Sequence, residues 1–213
     1  IDELVILDIT ATLERRRALA ETIRAVAREL FIPLAVGGGI RTEDDAALAV
    51  EAGADKVSLN SAALAHPELL TVLANRYGSQ AVVCAIDAKH AVDPDGKKIF
   101  AVYSRSGTTA AHRDAVEWAR EAEDRGAGEI LLTSIDRDGT KVGFDNEMTA
   151  AVSRAVSIPV IASGGAGGLH DFVDVFTTGA ADAALAASIF HYAETSVHAL
   201  KEHLRAHHIP VRI

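Results

Sequence analysis

The sequence predicts an α/β fold built on a parallel sheet. Apolar, strand-like runs alternate with helical periods throughout the 213 residues. Most of these runs are continuously apolar, which is typical of strands buried on both faces of a parallel sheet. Junctions such as Gly53-Ala54-Asp55 close one helix and open the next strand, since glycine suits the left-handed position after a helix.

Seven βα units follow one another without a linker-like break, so we expect a single domain spanning residues 1–213. The strand candidates are Leu4–Leu7, Pro33–Val36, Lys56–Leu59, Ala81–Ile86, Glu129–Thr133, Pro159–Ala162 and Ala183–Ala186. A closed barrel of this kind has eight units. The sequence therefore predicts a (β/α)8 barrel of the TIM type, of which this chain carries seven units.

Two stretches of the chain repeat each other, which predicts a half-barrel internal repeat. Val36-Gly37-Gly38-Gly39 matches Ser163-Gly164-Gly165-Ala166, and Leu59-Asn60-Ser61 matches Ala186-Ala187-Ser188, each 127 positions later. The strand Ala81–Ile86 has no earlier counterpart, so we expect that a first strand, loop and helix of about 40 residues are missing. A genuine seven-unit open or swapped barrel is the alternative, and it would expose two strand edges.

Each copy of the repeat combines a glycine turn with a second strand that ends in a small polar residue. A glycine turn lets the backbone approach an anion, and the N–H groups of a helix start can hold it. Two copies predict two anion sites and a small substrate with a phosphate at each end. Helix capping by Asn60 and Ser61 is the simpler interpretation, and the two roles are compatible.

Carboxylates stand at three of the predicted strand ends. Asp87 directly follows the run Ala81–Ile86, where desolvation would disfavour its charge and suit it to general acid–base catalysis. Asp8 is expected to have a supporting or capping role. In the turn after Glu129–Thr133, Asp138 could bind a ribose-like hydroxyl and the Gly139 N–H a phosphate, although a plain Asx turn is the alternative.

Charged residues also occur at the strand starts, where Glu3, Lys56 and Glu129 could form a salt-bridged ring at the opposite mouth of the barrel. The net charge of −9 argues against nucleic acid as the main partner. No apolar run is long enough to span a membrane. The single cysteine, Cys84, fits a reducing, cytoplasmic compartment.

No cofactor or metal is expected from the motifs. The run Val36–Ile40 lacks the spacing of dinucleotide and Walker-type loops. The histidines are interpreted as scattered, without metal-ligand spacing, and the pair His207-His208 as a solvated tail. The long connection from Lys89 to about Ala111 predicts a small hairpin with one arm at Ile99–Tyr103, either a substrate lid or a solvated element without a role.

Five motifs are distinctive: VGGGIR at 36–41, ADKVSLN at 54–60, AIDAK at 85–89, GEILLTSIDRDGTK at 128–141 and IASGGAG at 161–167. Together they closely resemble the cyclase subunit of imidazole glycerol phosphate synthase, from the first residue to the last. The segment at 104–112, SRSGTTAAH, departs from the pattern expected there. The resemblance implies a cytoplasmic lyase of histidine biosynthesis. Ammonia from a glutaminase partner would convert a phosphoribulosyl-formimino-AICAR ribonucleotide to imidazole glycerol phosphate and AICAR.

The resemblance also implies residue roles. Asp87 would be one of two catalytic aspartates, the other belonging to the expected missing strand together with an arginine of the ammonia gate. One phosphate site would consist of Gly39, Asn60 and Ser61. The other would consist of Asp138, Gly139, Gly165, Ala187 and Ser188. Glu3, Lys56 and Glu129 would be the remaining gate residues, on the face where the glutaminase docks.

Two alternatives stay open at this point. The isomerase of the same pathway is also a half-barrel repeat with two phosphate sites, but it needs no ammonia gate. A barrel fragment that binds phosphate ligands without turnover is the second alternative.

Overall fold

The computed structural model describes residues 1–7, 13–104 and 107–212. The strands are β1 Leu4–Leu7, β2 Leu34–Gly37, β3 Lys56–Leu59, β4 Val82–Val92, β5 Lys98–Ser104, β6 Thr109–Asp114, β7 Glu129–Ser134, β8 Val160–Ser163 and β9 Ala183–Leu185. The helices are α1 Leu13–Glu29, α2 Glu43–Glu51, α3 Ser61–Ala65, α4 Glu68–Tyr77, α5 Ala115–Asp124, α6 Asn146–Ser153, α7 Leu169–Thr177, α8 Ser188–His191 and α9 Val197–Ala206, with a 3₁₀ turn at Ser79–Ala81.

Seven strands pair in parallel in the order β1-β2-β3-β4-β7-β8-β9. This order confirms the predicted α/β fold and its parallel sheet. All seven predicted strands are present, because their continuous apolar runs bury well between neighbouring strands. Closure into a (β/α)8 barrel and an additional first unit stay predictions.

One predicted strand is several residues longer than expected, while the other strand bounds differ by at most one residue at either end. The strand expected to end at Ile86 continues to Val92, because beyond Ala88 it leaves its parallel partner β7 and pairs antiparallel with β5 alone. Asp87 therefore lies within β4 rather than after it. The predicted hairpin arm Ile99–Tyr103 is confirmed as part of β5, which pairs with β6.

The core forms where the helices pack their apolar faces on the sheet. Its largest fully buried side chains include Trp118 of α5, Ile23 of α1, and Leu70 and Leu73 of α4. A second apolar cluster lies around β8, α7 and α9 and includes Phe172. In the described part of the chain, no helix has the length and apolar character needed to cross a bilayer.

The two ends of the sheet approach each other. The Lys201 Nζ atom of α9 lies 2.9 Å from Oδ1 of Asp2, just before β1. Strands in a sheet are spaced by about 4.8 Å, so the edge strands of a flat seven-stranded sheet would be ~29 Å apart. One lysine side chain does not bridge that gap, and the sheet must therefore be strongly curved.

The repeat seen in the sequence is also present in the hydrogen bonds at the strand starts. The Asp55 carboxylate accepts from the N–H of Leu34 at 2.8 Å, and the Asp182 carboxylate accepts from the N–H of Val160 at 2.9 Å. Asp55 and Asp182 are 127 positions apart, the spacing of the glycine turns. The same device thus joins β2 to β3 and β8 to β9.

Candidate active site

The register of the sheet puts Asp87 and the charged residues at the strand starts on one face. Paired residues of parallel strands share a face, and alternate residues along a strand share it too. Lys56 pairs with Ala35, Ser58 with Val83, and Asp87 with Thr133. The face therefore carries Glu3, Lys56 and Glu129 at the strand starts, Asn60, Asp87 and Thr133 at the far end, and Ser58, Val83, Ala85 and Leu131 between them.

Asp87 is half-buried at the carboxyl end of the parallel part of β4. Burial raises the pKa of its carboxyl, and the nearby charge of Asp138 raises it further. Hydrogen bonding from the Asn60 amide acts in the opposite direction but does not cancel the rise. A carboxyl in this environment holds a proton more readily than a solvated aspartate, as a group that both donates and accepts protons requires.

The first predicted phosphate site lies at the ends of β2 and β3. Gly37 pairs with Ser58, so the turn containing Gly39 and the segment Asn60-Ser61 leave neighbouring strands. Asn60 precedes α3 with a φ of −117° and makes no side-chain capping hydrogen bond. Its amide is near enough to Asp87 to lower the pKa of that carboxyl, which links this predicted site to the candidate catalytic carboxyl.

The second predicted site is assembled from two loops that pack closely. The N–H of Gly143 donates to the carbonyl of Gly165 at 2.9 Å. Gly165 has a φ of +103°, and a Cβ there would lie 2.2 Å from the Gly143 carbonyl oxygen. Only glycine fits both conditions. The turn containing Asp138 and Gly139 is thereby held beside the turn at Gly165, with Asp138 and Gly139 exposed.

Ala187 and Ser188 lie at the start of α8, as Asn60 and Ser61 do at the start of α3. The backbone before each helix has nearly the same φ, −121° at Ala187 and −117° at Asn60. Residues 127 positions apart thus adopt matching conformations at the ends of β9 and β3. An ion pair between Lys141 and Glu194 ties the Asp138 loop to the segment that follows α8.

The charged residues at the strand starts do come together. Lys56 Nζ lies 2.6 Å from Glu3 Oε2 and 2.6 Å from Glu129 Oε1. Burial would lower the pKa of Lys56, but hydrogen bonds and charge from Glu129 and Glu3 outweigh it and raise the pKa. Among the described residues, Glu3 Oε1 and Glu129 Oε2 are buried without a hydrogen-bond partner. Asp8, the predicted supporting residue, lies outside the described residues.

The sequence analysis did not identify Asp145, a buried carboxylate that follows the loop containing Asp138. Asp145 accepts from Ser134 Oγ at 3.0 Å and contacts His90 Nε2 at 2.9 Å, and it also caps α6 through the N–H of Met148. These contacts join β4 to β7 and α6, the two elements that the Asp138 loop connects. The helix cap could have been found from the sequence, but the contact with His90 crosses 55 positions.

The interpretation of the histidines as scattered was wrong. His203 and His207 lie one helical turn apart, and the fold brings His170 of α7 against both of them. The i, i+4 spacing is visible in the sequence. The contribution of His170 depends on how α7 packs against α9, which no spacing in the chain indicates.

The chain is similar to known proteins along its length. A family model described as histidine biosynthesis protein matches residues 1–196. A protein of Acidobacterium capsulatum named imidazole glycerol phosphate synthase subunit HisF is 60% identical over 212 residues, covering 100% of this chain and 82% of the relative. The protein of the same name in Anoxybacillus flavithermus is 55% identical over 211 residues, covering 99% of this chain and 82% of the relative.

Proposed function

The chain belongs to the histidine biosynthesis family of imidazole glycerol phosphate synthase HisF subunits and acts as a cyclase, and we propose that Asp87 carries its proton transfers. The single observation behind this proposal is the half-buried Asp87 carboxyl, with its raised pKa, at the carboxyl end of the parallel sheet. Active sites of βα barrels lie at that end.

The proposed substrate is a phosphoribulosyl-formimino-AICAR ribonucleotide with a phosphate at each end. Gly39, Asn60 and Ser61 would bind one phosphate. Asp138, Gly139, Gly165, Ala187 and Ser188 would line the other end of the substrate. The matching backbone before α3 and α8 supports this arrangement. The middle of the substrate would then lie over Asp87, between the two turns.

In the proposed reaction, ammonia attacks the ketone of the substrate and gives an imine with loss of water. Cleavage of a carbon–nitrogen bond and ring closure then yield imidazole glycerol phosphate and AICAR. Asp87 gives a proton to a leaving group in one step and takes one back in another. The Asn60 amide beside it would hold the carboxyl in position through the cycle.

Ammonia is proposed to enter at the strand starts through Glu3, Lys56 and Glu129. Val83 pairs with Glu129, and Asp87 lies four residues further along β4, so the two ends are ~13 Å apart at about 3.3 Å per residue. Ser58, Val83, Ala85 and Leu131 occupy the same face in between. A small neutral molecule crosses such a mostly apolar path at lower cost than an ion.

The partner proposed for this face is a glutaminase subunit that supplies the ammonia. Both named relatives are subunits of a synthase, which supports an assembly with a second protein. The isomerase alternative is not favoured, since both relatives carry the name of the synthase. The cytoplasmic location stays a prediction, which rests on the single cysteine, Cys84, being a free thiol.

The test is the rate of cyclisation with ammonium salt in the Asp87→Asn variant. Loss of a general acid–base group is expected to slow turnover by roughly 10²- to 10⁴-fold. The matched control is Asp95→Asn, the same substitution in the exposed turn between β4 and β5. An Asp87→Asn protein with the unchanged rate would reject the role of Asp87, as would an equal loss in both variants.

A further inference from the structure

We propose that His170, His203 and His207 form a binding site for a divalent transition-metal ion, best matched by Zn²⁺. The site lies between α7 and α9, on helices that pack on the outside of the sheet. It is independent of the cyclase site and of the roles proposed there. Its expected effect is to cross-link the last helix of the chain to α7.

The three side chains meet because two helices pack together. His203 and His207 are one turn apart on α9 and at its end, and their ring centroids are 4.4 Å apart. The ring of His170 on α7 lies 6.0 Å from that of His203 and 5.5 Å from that of His207. One nitrogen of each ring lies within 4.8 Å of the nitrogens of the other two.

Metal binding needs only a small contraction of this cluster. Zn–N bonds of 2.0–2.1 Å in a tetrahedral site place the ligand nitrogens ~3.4 Å apart. His170 and His207 are exposed, so their rings can rotate inward without disturbing the core. Three imidazoles favour zinc, copper or nickel over magnesium or calcium, which prefer oxygen ligands.

The hydrogen bonds of the cluster already suit a metal. Nδ1 of His207 lies 2.9 Å from the carbonyl oxygen of His203. A carbonyl only accepts, so Nδ1 carries the proton and Nε2 keeps its lone pair for a ligand bond. Among the described residues, Nε2 of His203 is buried and has no hydrogen-bond partner. A buried nitrogen without a partner is costly, and a metal bond would satisfy it.

The surrounding charge also favours a cation. His207 caps the carboxyl end of α9, where the helix dipole is negative. Asp174 Oδ1 of α7 lies 3.7 Å from His170 Nε2, so a carboxylate adjoins the cluster. Arg205, also near the end of α9, is exposed and its charge is screened by solvent.

The experiment is a titration of the tag-free chain with Zn²⁺ by calorimetry, and with Co²⁺ by visible absorption. We expect one ion per chain and, for Co²⁺, ligand-field bands that appear as it binds. At a free Zn²⁺ concentration ~100 times Kd, the Tm should rise by roughly 5–10 °C. His170→Gln, His203→Gln and His207→Gln should each weaken binding by at least ~10-fold and abolish most of the Tm rise.

His198→Gln is the matched control, because His198 is an exposed histidine of α9 outside the cluster. It should bind Zn²⁺ as the wild type does. If His203→Gln does not fold, the exposed His170→Gln still tests the site. Zn²⁺ affinity that is unchanged in His170→Gln, or that falls equally in His198→Gln, would overturn the proposal. Cyclase activity without added metal should be unchanged in each of these variants that folds.

Discussion

Two groups of charged residues occupy opposite ends of the sheet, and their surroundings have opposite effects on their charges. At the strand starts, Lys56 pairs with Glu3 and Glu129. At the other end, Asp87 faces a second acid, Asp138, and an amide. One cluster compensates its charges internally, while the other leaves a carboxyl with its charge disfavoured.

The difference separates a cluster that stabilises the fold, around Lys56, from a carboxyl suited to proton transfer, that of Asp87. Pairing raises the pKa of Lys56 despite its partial burial, so that group keeps its charge across the whole physiological range. Burial and like charge raise the pKa of Asp87. The raised pKa lies closer to neutral pH, where a catalytic group has to exchange protons. Perturbed carboxyls of this second kind are typical of catalytic sites.

The largest effect is expected from breaking the paired cluster. Lys56→Met should lower the free energy of unfolding by about 2–3 kcal/mol, because it leaves two carboxylates together without a cation. This is less than the roughly 3–5 kcal/mol for fully buried pairs, since the three side chains are 15–25% exposed. Urea denaturation at pH 7 measures the loss.

The triple variant Lys56→Met, Glu3→Gln, Glu129→Gln separates charge from packing. Removing the carboxylates as well should recover most of the stability lost in Lys56→Met. If the triple variant is as unstable as the single one, the ion pairs are not the cause. The stability that the raised pKa of Lys56 contributes should be complete below the ordinary lysine pKa of 10.5 and be lost as the pH rises through the raised value.

At the opposite end of the strands, removing the charge of Asp87 is expected to raise the stability of the fold, by less than Lys56→Met lowers it. The pKa of Asp87 is higher in the folded chain than its ordinary 3.8, so protonated Asp87 favours folding and ionised Asp87 opposes it. Wild-type stability from this group is complete below pH 3.8 and declines as the pH rises through the raised pKa. Asp87→Asn should therefore have a higher Tm than the wild type at neutral pH, with the difference vanishing in acid. A lower Tm at neutral pH would contradict this sign.

The smallest effect is expected from Asp138→Asn. Removing this charge should lower the pKa of Asp87, because Asp138 contributes to the rise. Carbon-detected NMR titration of the Asp87 carboxyl measures the shift. The effect should shrink with added salt, since Asp138 is exposed. The control is Asp95→Asn, which should leave the Asp87 titration unchanged.

The strands could be read from the sequence because continuous apolar runs can be buried only in a few ways. The extension of β4 could not, since Lys89 and His90 look polar and are ordered by pairing with β5. The candidate site residues at the strand ends were predicted from the repeat and the resemblance. Asp145 and the cluster of His170, His203 and His207 were missed, because their contacts cross long stretches of chain.

Local patterning in the chain determined the alternation of strands and helices, the glycine turns and the acidic residue on β4, since each depends on neighbours along the backbone. The sequence predicted that Glu3, Lys56 and Glu129 lie together at the strand starts, but only tertiary structure decided their ion-pair distances and the proximity of Asp138 to Asp87. Electrostatic coupling depends on distance and burial, and residues 53 or 73 positions apart acquire both only when the strands align.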